Sequence, residues 1–210
     1  MSLFNQLIEL QNLLIQNYCS YCGKIDEIIC DSCIKSLLKS PKVGFINNVP
    51  VYCLTENVEI FKQLIIEHKD GGYHKLSIPF AKMLVQGLKT LSPKKQINVL
   101  NVPTAANTIK KRGLDPVAIM TKNACIQAGK RFMYTPEFLI NAKSRIDQAQ
   151  LNFEERRLNL QEAFNSPEKS SKNFVIVDDV ITTGSSMSSS ILAMQERGNH
   201  VKACLVLALT

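Results

Sequence analysis

The chain has 210 residues, of which 45% are hydrophobic, and its formal net charge is +7. This length is enough for one α/β domain with a core of its own and a small appended module, and no stretch approaches the ~20 consecutive apolar residues of a membrane span, which argues against an integral membrane protein. The positive charge favours anionic partners such as phosphates, nucleic acid or an acidic membrane face, and it does not choose among them.

The chain opens on an amphipathic pattern that predicts a helix. The leucines that recur at helical spacing are Leu3, Leu7, Leu10 and Leu14. We expect this helix to pack on the body of the protein; a surface for a partner or an anionic membrane is the alternative, which the absence of lysine and arginine from the helix disfavours. Glu9 interrupts the apolar residues and no basic region precedes them, so we expect no cleaved signal peptide.

Four of the seven cysteines fall within fifteen residues, as two Cys-x2-Cys pairs with seven residues between them. They are Cys19, Cys22, Cys30 and Cys33. Each pair can present two thiolates to one tetrahedral ion, which predicts a closed, structural Zn²⁺ site; a redox pair or an iron–sulfur cluster is the alternative. The clustering favours metal binding in a reducing, cytoplasmic compartment over a disulfide framework. We expect residues 1–40 to form the N-terminal helix and a zinc-ribbon-like module, and 41–210 to form the main domain.

The middle of the chain alternates between strand and helix patterns, which predicts an α/β domain. Strands are predicted at 48–54, at 97–102 and, as a short one, near 138–140. Helical spacing recurs over 60–68, 77–91 and 115–128. The charged stretch 143–157 predicts a long mobile loop followed by the start of a helix.

The last unit is the clearest. A strand is predicted at 174–177, a helix at 187–197 and a further strand at 201–209. A strand, a crossover helix and a strand in this order predict a parallel sheet.

Two acids, Asp178 and Asp179, end the first of these strands, and a turn rich in hydroxyl groups follows. The turn residues are Thr182, Thr183, Gly184, Ser185 and Ser186. Glycine lets the backbone approach an anion, the following helix presents unpaired N–H groups and its positive dipole end, and the hydroxyls add donors. The acids can accept from ribose hydroxyls or bind Mg²⁺. The sequence therefore predicts a site for a phosphorylated ribose. The turn lacks the Gly-Lys-Ser/Thr sequence of a nucleotide P-loop.

These residues resemble the 5-phosphoribosyl 1-diphosphate (PRPP) motif of type I phosphoribosyltransferases: a strand, two acids, a turn containing Thr-Thr-Gly and a helix. The resemblance implies a phosphoribosyltransferase type I fold, with a Rossmann-like parallel sheet flanked by helices. It also implies that Asp178 and Asp179 hold the ribose hydroxyls and that 182–186 hold the 5-phosphate.

From Cys19 onward, the order of the features resembles the ComF/ComFC family of competence proteins. The resemblance also rests on Val102-Pro103, on Lys111-Arg112-Gly113-Leu114-Asp115, and on Arg145, Gln150, Leu151, Arg156, Asn159, Ala163 and Phe164. Leu114 stands where family members often have phenylalanine, and Ser185-Ser186 stand at the Ala-Thr end of the PRPP loop. Both changes keep the size or the hydroxyl chemistry.

The resemblance implies a cytoplasmic protein of natural transformation that binds single-stranded DNA during DNA uptake, with a peripheral position at the inner membrane beside the uptake machinery. The expected phosphate-binding surface comprises Lys94, Lys95, Lys110, Lys111, Arg112, Arg145, Arg156 and Arg157. A solvated basic surface beside an anion pocket is the plain alternative.

An active phosphoribosyltransferase, which transfers phosphoribose from PRPP to an unidentified acceptor with loss of pyrophosphate, is the second functional hypothesis. In it, Lys110, Lys111 and Arg112 would contact the pyrophosphate and 143–157 would close over the ligand.

Overall fold

The computed structural model describes residues 18–25, 28–56, 59–71, 74–142, 163–167 and 169–209. In these residues the protein is an α/β structure, with a mostly parallel mixed sheet, helices packed against it and a cluster of cysteines ahead of it. The predicted N-terminal helix and the charged stretch 143–157 lie outside the described residues.

The strands in this part of the chain are β1 (Leu38–Ile46), β2 (Val49–Thr55), β3 (Ile97–Asn101), β4 (Phe132–Tyr134), β5 (Ile140–Asn141), β6 (Phe164–Asn165), β7 (Asn173–Ile181) and β8 (His200–Leu209). The α-helices are α1 (Asp31–Leu37), α2 (Glu59–Lys69), α3 (Ser77–Thr90), α4 (Ala106–Arg112), α5 (Pro116–Ala128) and α6 (Ser185–Glu196). Short 3₁₀ turns lie at His74–Leu76 and Pro136–Phe138.

The main sheet has the strand order β1-β2-β8-β7-β3-β4. The strands from β2 to β4 in this order pair in parallel, and β1 is an antiparallel edge strand. Asn47 and Asn48 join β1 to β2 with φ angles of 49° and 62°, the two left-handed conformations that a tight two-residue hairpin turn requires. The predicted crossover is confirmed, because β7 and β8 pair in parallel on either side of α6.

Side chains of β7 alternate between the two faces of the sheet. Val175 and Val177 pack with apolar residues of α2, α3 and α5, whereas Phe174 and Ile176 pack with those of α6. Burial of such side chains stabilises the fold by ~1.5–3 kcal/mol each relative to exposure. The strand is therefore held from both faces, which fixes the position of the loop that follows it.

The cysteine segment is joined to this core through α1. Ile34 and Leu37 belong to the same apolar cluster as α3, and the Lys82 ammonium lies 2.9 Å from the Asp31 carboxylate. The domain boundary predicted at residue 40 falls within β1. The segment around the cysteines thus has packing contacts of its own in addition to any bound ion.

Two expectations from the sequence differ from the structure. The strand predicted near 138–140 is largely replaced by the 3₁₀ turn Pro136–Phe138, because proline fixes φ and removes a backbone donor. Only β5, of two residues, remains, and it pairs with β6. No pattern predicts β4, because it has three residues of which Phe132 alone is buried.

His68 is buried near the end of α2. Its Nε2 lies 2.8 Å from the Ser77 hydroxyl, and its ring packs edge-on against Phe80 with the centroids 5.0 Å apart. Burial lowers the pKa of His68 to about 4, against the opposing effect of the Asp179 carboxylate. The folded state therefore keeps this ring neutral at pH values where an exposed histidine is charged.

We expect the free energy of unfolding to fall as the pH drops from about 6.5 to about 4, because unfolded His68 takes up a proton near pH 6.5 and folded His68 does so only near its own pKa. The contribution is fully present above pH 6.5 and amounts to about 3 kcal/mol. Urea unfolding across this pH range measures the slope. The variant His68→Gln should flatten it, whereas His200→Gln, at an exposed histidine, should not. Equal slopes in both variants would contradict the assignment.

Candidate functional site

The carboxyl ends of β3 and β7 lie side by side, and the Val102 N–H donates to the Val177 carbonyl at 2.9 Å. From β3 the chain proceeds to β4 on one side, and from β7 it proceeds to β8 on the other. Adjacent connections that diverge in this way open a crevice at the carboxyl ends of the strands of a parallel sheet, where α/β proteins bind their ligands. The predicted phosphate loop follows directly from β7, so it lies at this crevice.

A pocket of about 180 Å³ occupies the end of β7. It is lined by Lys69, Asp178 and residues 180–187. The five predicted turn residues, 182–186, and the first predicted acid are therefore brought together around one cavity. Thr182, Thr183 and Ser186 are exposed, so their polar groups are accessible to a ligand.

The turn is shaped by Gly184, which adopts φ +77° and caps α6. That left-handed conformation strains any residue with a Cβ. The Thr183 hydroxyl lies 2.9 Å from the Ser185 hydroxyl, and the helix begins with the Ser188 N–H donating to the Gly184 carbonyl at 2.8 Å. The pocket therefore faces the N-terminal end of a 12-residue helix, where N–H groups and the helix dipole favour an anion.

The β1–β2 hairpin supports the turn from the side. A Cβ at Gly184 would lie 3.3 Å from the Ile46 Cδ1 atom. The Asn47 side-chain amide donates to the Ser188 carbonyl at 3.1 Å and lies 2.9 Å from the Ser188 hydroxyl. This contact fixes the first turn of α6 relative to the edge of the sheet.

The two acids do not share one environment, because consecutive residues of a strand point to opposite faces. Asp178 is partly exposed and lines the pocket. Asp179 is buried on the other face, where its Oδ1 lies 2.7 Å from the Lys69 Nζ and accepts from the Val180 N–H at 2.7 Å. Sequence reasoning expected both carboxylates to face the ligand; in the structure Asp178 lines the pocket, and Asp179 contacts Lys69.

The electrostatics of the pair follow from this packing. Burial, and then the neighbouring charge of Asp179, raise the pKa of Asp178 well above its usual range. The Asp179 Oδ2 atom has no hydrogen-bond partner among the described residues. This environment disfavours the ionised form of Asp178, and a cation or hydrogen-bond donor beside its carboxyl group would relieve the repulsion from Asp179.

Lys69 is the site residue that sequence reasoning missed. It ends α2, and a lysine in the last turn of a helix is common because it interacts favourably with the helix dipole. Nothing in the local sequence distinguishes it from such a residue. Only the three-dimensional structure places its side chain, 27% exposed, between the pocket and Asp179.

The three basic residues predicted to contact phosphate all lie on α4, and they differ in accessibility. Lys110 and Lys111 are exposed. The Arg112 Nη2 and Nε atoms donate to the Asp70 Oδ1 at 2.6 and 3.1 Å. None of these three residues is among the described residues that line the phosphate-loop pocket. Because Asp70 follows Lys69, the end of α2 contacts both predicted ligand-binding segments.

A second cleft, of about 280 Å³, opens at the carboxyl ends of β3 and β4. Its polar lining includes Asn101, whose Oδ1 accepts from the Tyr134 hydroxyl at 2.7 Å, and Asp115, which caps α5 by accepting from the Ala118 N–H at 3.0 Å. No lysine or arginine lines it among the described residues. This cleft suits an uncharged or amino-bearing molecule better than a phosphate.

The four cysteine sulfurs form a candidate metal centre. Their Sγ atoms all lie within 4.8 Å of one another, and those of Cys22 and Cys30 are 3.8 Å apart. A tetrahedral ion with metal–sulfur bonds of about 2.3 Å has sulfur–sulfur edges of about 3.8 Å. The predicted metal ligands are therefore positioned to hold one metal ion, and four thiolates leave no open position for catalysis.

Hydrogen bonds lower the pKa of two of the four cysteines, Cys19 and Cys30, and so favour their thiolate forms. The Cys30 N–H donates to the Cys19 Sγ at 3.4 Å. The Ser32 hydroxyl, 3.1 Å from the Cys30 Sγ, is the main cause of a pKa of about 6 for Cys30. Burial raises the pKa of Cys33. The remaining cysteines, Cys53, Cys125 and Cys204, are buried outside the cluster.

The predicted basic surface is described only in part. Lys94 and Lys95 are exposed in the loop before β3, and Lys110 and Lys111 on α4. The arginines at 145, 156 and 157 lie outside the described residues. Within the described part of the chain, the structure thus offers two exposed lysine pairs, Lys94/Lys95 and Lys110/Lys111.

Comparison with protein-family models and with curated proteins finds no match to this chain. Among the described residues, no helix has the length and apolar character needed to cross a membrane.

Proposed function

We propose that this chain is a ComF-like protein with a phosphoribosyltransferase type I fold, and that it binds PRPP at the loop 182–186. The observation that carries the proposal is one pocket, at the diverging connections of a parallel sheet, lined by Asp178 and all five turn residues. The turn and the N-terminal end of α6 would hold the 5-phosphate, and Asp178 would accept from a ribose hydroxyl.

Two metal ions belong to the proposal. The carboxylate of Asp178 and the phosphate oxygens of PRPP are the hard oxygen ligands that Mg²⁺ prefers, so the pocket fits this ion. Bound Mg²⁺ would neutralise charge on the diphosphate. The four-thiolate cluster fits a structural Zn²⁺ ion.

Equilibrium dialysis with PRPP, ribose 5-phosphate and inorganic phosphate in the presence of Mg²⁺ tests the proposed site. We expect PRPP to bind most tightly, because it offers the 5-phosphate, the ribose hydroxyls and the diphosphate together. Equal retention of all three ligands would show a general anion site and would contradict the proposal.

We further propose that the protein acts in the cytoplasm, peripherally at the inner membrane, where it holds single-stranded DNA during uptake. The net charge of +7 and the exposed pairs Lys94/Lys95 and Lys110/Lys111 support this proposal. Distributed positive charge binds the phosphate backbone without reading the bases.

We expect binding of a single-stranded oligonucleotide to weaken steeply with salt and to show little sequence preference, with a slope of log K against log [salt] of about −0.7 per phosphate contacted. The double variant Lys110→Ala/Lys111→Ala should weaken binding and reduce the slope by about 1 to 2. Fluorescence anisotropy over a salt series measures both quantities.

The matched control is Lys122→Ala/Lys130→Ala, which removes the same charge from exposed positions outside the proposed surface. If both double variants lose affinity equally, net charge alone explains the binding. If salt has no effect on the wild type, the electrostatic account is wrong.

Phosphoribosyl transfer is the second candidate function, and the cleft at the ends of β3 and β4 favours it. That cleft lies one strand from the phosphate-loop pocket and is lined by a carboxylate and two amides but by no described cation, so it could hold a nucleophilic acceptor. Pyrophosphate release from PRPP, measured across a panel of nitrogen-containing acceptors, would demonstrate this activity.

A further inference from the structure

We propose that Lys69 is a ligand-binding residue of the phosphate-loop pocket, which contacts the Asp179 carboxylate when the pocket is empty and an anionic oxygen of the phosphorylated ligand when it is full. This inference rests on the PRPP site proposed above and names a residue that the PRPP motif does not include.

The first argument is charge. The described lining of the pocket contains Asp178, hydroxyl groups, apolar side chains and a single cation, which is Lys69. Asp179 lies directly behind it. A ligand that carries several phosphate charges must enter beside two carboxyl groups, so it needs positive charge inside the pocket. Among the described lining residues, Lys69 alone supplies it.

The second argument is geometry. The Lys69 Nζ atom is 2.7 Å from the Asp179 Oδ1, while the Lys69 side chain is 27% exposed and that of Asp179 is fully buried. The ammonium therefore lies at the boundary between the buried acid and the pocket. An ammonium has three donors, and phosphate oxygens accept charge-assisted hydrogen bonds strongly. A small movement of the Lys69 ammonium is thus enough for it to contact a ligand in the pocket.

The third argument is the fixed position of the backbone that carries Lys69. The Asp70 N–H donates to the Ile66 carbonyl at 2.8 Å, and the Asp70 carboxylate is held by Arg112. Phe61 and Leu64 bury the inner face of α2. The end of the helix is held, so only the flexible lysine side chain has to adjust when a ligand enters.

The test compares Asp179→Asn with the double variant Lys69→Met/Asp179→Asn. Neither protein contains a buried, unpaired carboxylate at 179, so the comparison isolates the lysine from its role as a counter-ion. Affinity for PRPP with Mg²⁺ is measured by calorimetry, and thermal melts confirm that both proteins fold. Lys62→Met, at an exposed lysine of the same helix, is the matched control and should bind as the wild type does.

We expect the double variant to bind PRPP about 10- to 100-fold more weakly than Asp179→Asn, as for the loss of a charge-assisted contact. Equal affinity of these two proteins would overturn the inference and would leave Lys69 as a structural counter-ion. Loss of binding in Asp179→Asn itself would also overturn it, because Asp179 would then be the ligand contact. If the wild type does not bind PRPP, the proposed function and this inference fail together.

Discussion

Replacement of Cys30 by serine is expected to remove most of the bound metal and to unfold the segment from Tyr18 to the end of α1. Purified wild type should carry about one Zn²⁺ per chain, because four thiolates complete a tetrahedral site. Structural zinc contributes apparent binding free energies of about 10–16 kcal/mol at neutral pH, so loss of one thiolate of four has a large effect. Metal analysis, together with protease sensitivity of this segment, measures the outcome.

The effect should extend beyond the cysteines. Because Cys30 and Ile34 belong to the apolar cluster that also contains residues of α3, loosening of the segment exposes part of the main core. We therefore expect a lower melting temperature for the whole protein. The matched control is Cys125→Ala, which removes a buried thiol that does not belong to the four-cysteine cluster and should leave the metal content unchanged. Absorption bands of an iron–sulfur cluster in anaerobically prepared protein would contradict the zinc assignment.

The second large effect concerns Asp178. The variant Asp178→Asn is expected to weaken PRPP binding by about 10- to 150-fold, because it removes a charge-assisted acceptor worth about 1.5–3 kcal/mol. The fold should be retained, since Asp178 is partly exposed and asparagine has the same shape. Burial, and then repulsion from Asp179, raise the pKa of Asp178, and an uncharged asparagine avoids both penalties.

Asp179→Asn should differ from Asp178→Asn in its effect on PRPP affinity and in its effect on stability. Its carboxylate is buried against Lys69, so the substitution is expected to cost stability, by about 1–2 kcal/mol after allowance for the partial exposure of the lysine. PRPP affinity should be largely retained. The two neighbouring substitutions thus separate a ligand contact from a buried counter-ion, and equal losses of affinity in both would favour the simpler prediction from the PRPP motif, in which both acids hold the ribose.

The α/β architecture and the crossover around α6 could be predicted because they depend on local patterns. The apolar run at 174–177 and the helical spacing after the turn identify β7 and α6, and a strand-helix-strand order leaves parallel pairing as the favoured solution. The cysteine cluster could also be predicted from the sequence, since the spacing of the thiols along the chain limits where they can meet.

The edge of the sheet was not predictable in this way. β1 is mostly exposed and contains Pro41, with a shift of register between Leu38 and Lys42, so it lacks the alternation that identifies a half-buried strand. The residues that pack beside the turn at Gly184 are Ile46, which ends this strand, and Asn47, which follows it. Local patterns could not show that the hairpin lies beside the phosphate loop.

The division of roles between the two acids was also out of reach from the sequence. Alternation along a strand implies that Asp178 and Asp179 point to opposite faces, but it does not say which face carries the ligand or what lies on the other. The partner of Asp179 is Lys69, which is more than one hundred residues away in the chain. Such a pairing depends on how α2 packs against the sheet.

The central claim, that the loop after β7 binds a phosphorylated ribose, is tested most directly by calorimetric titration of PRPP with Mg²⁺ into the wild type and into Asp178→Asn. The account predicts saturable binding at one site per chain in the wild type and a loss of at least about 10-fold in the variant. Absence of binding to the wild type, or equal affinity in the two proteins, would contradict it and would leave the metal centre and the exposed lysines as the features from which a function must be sought.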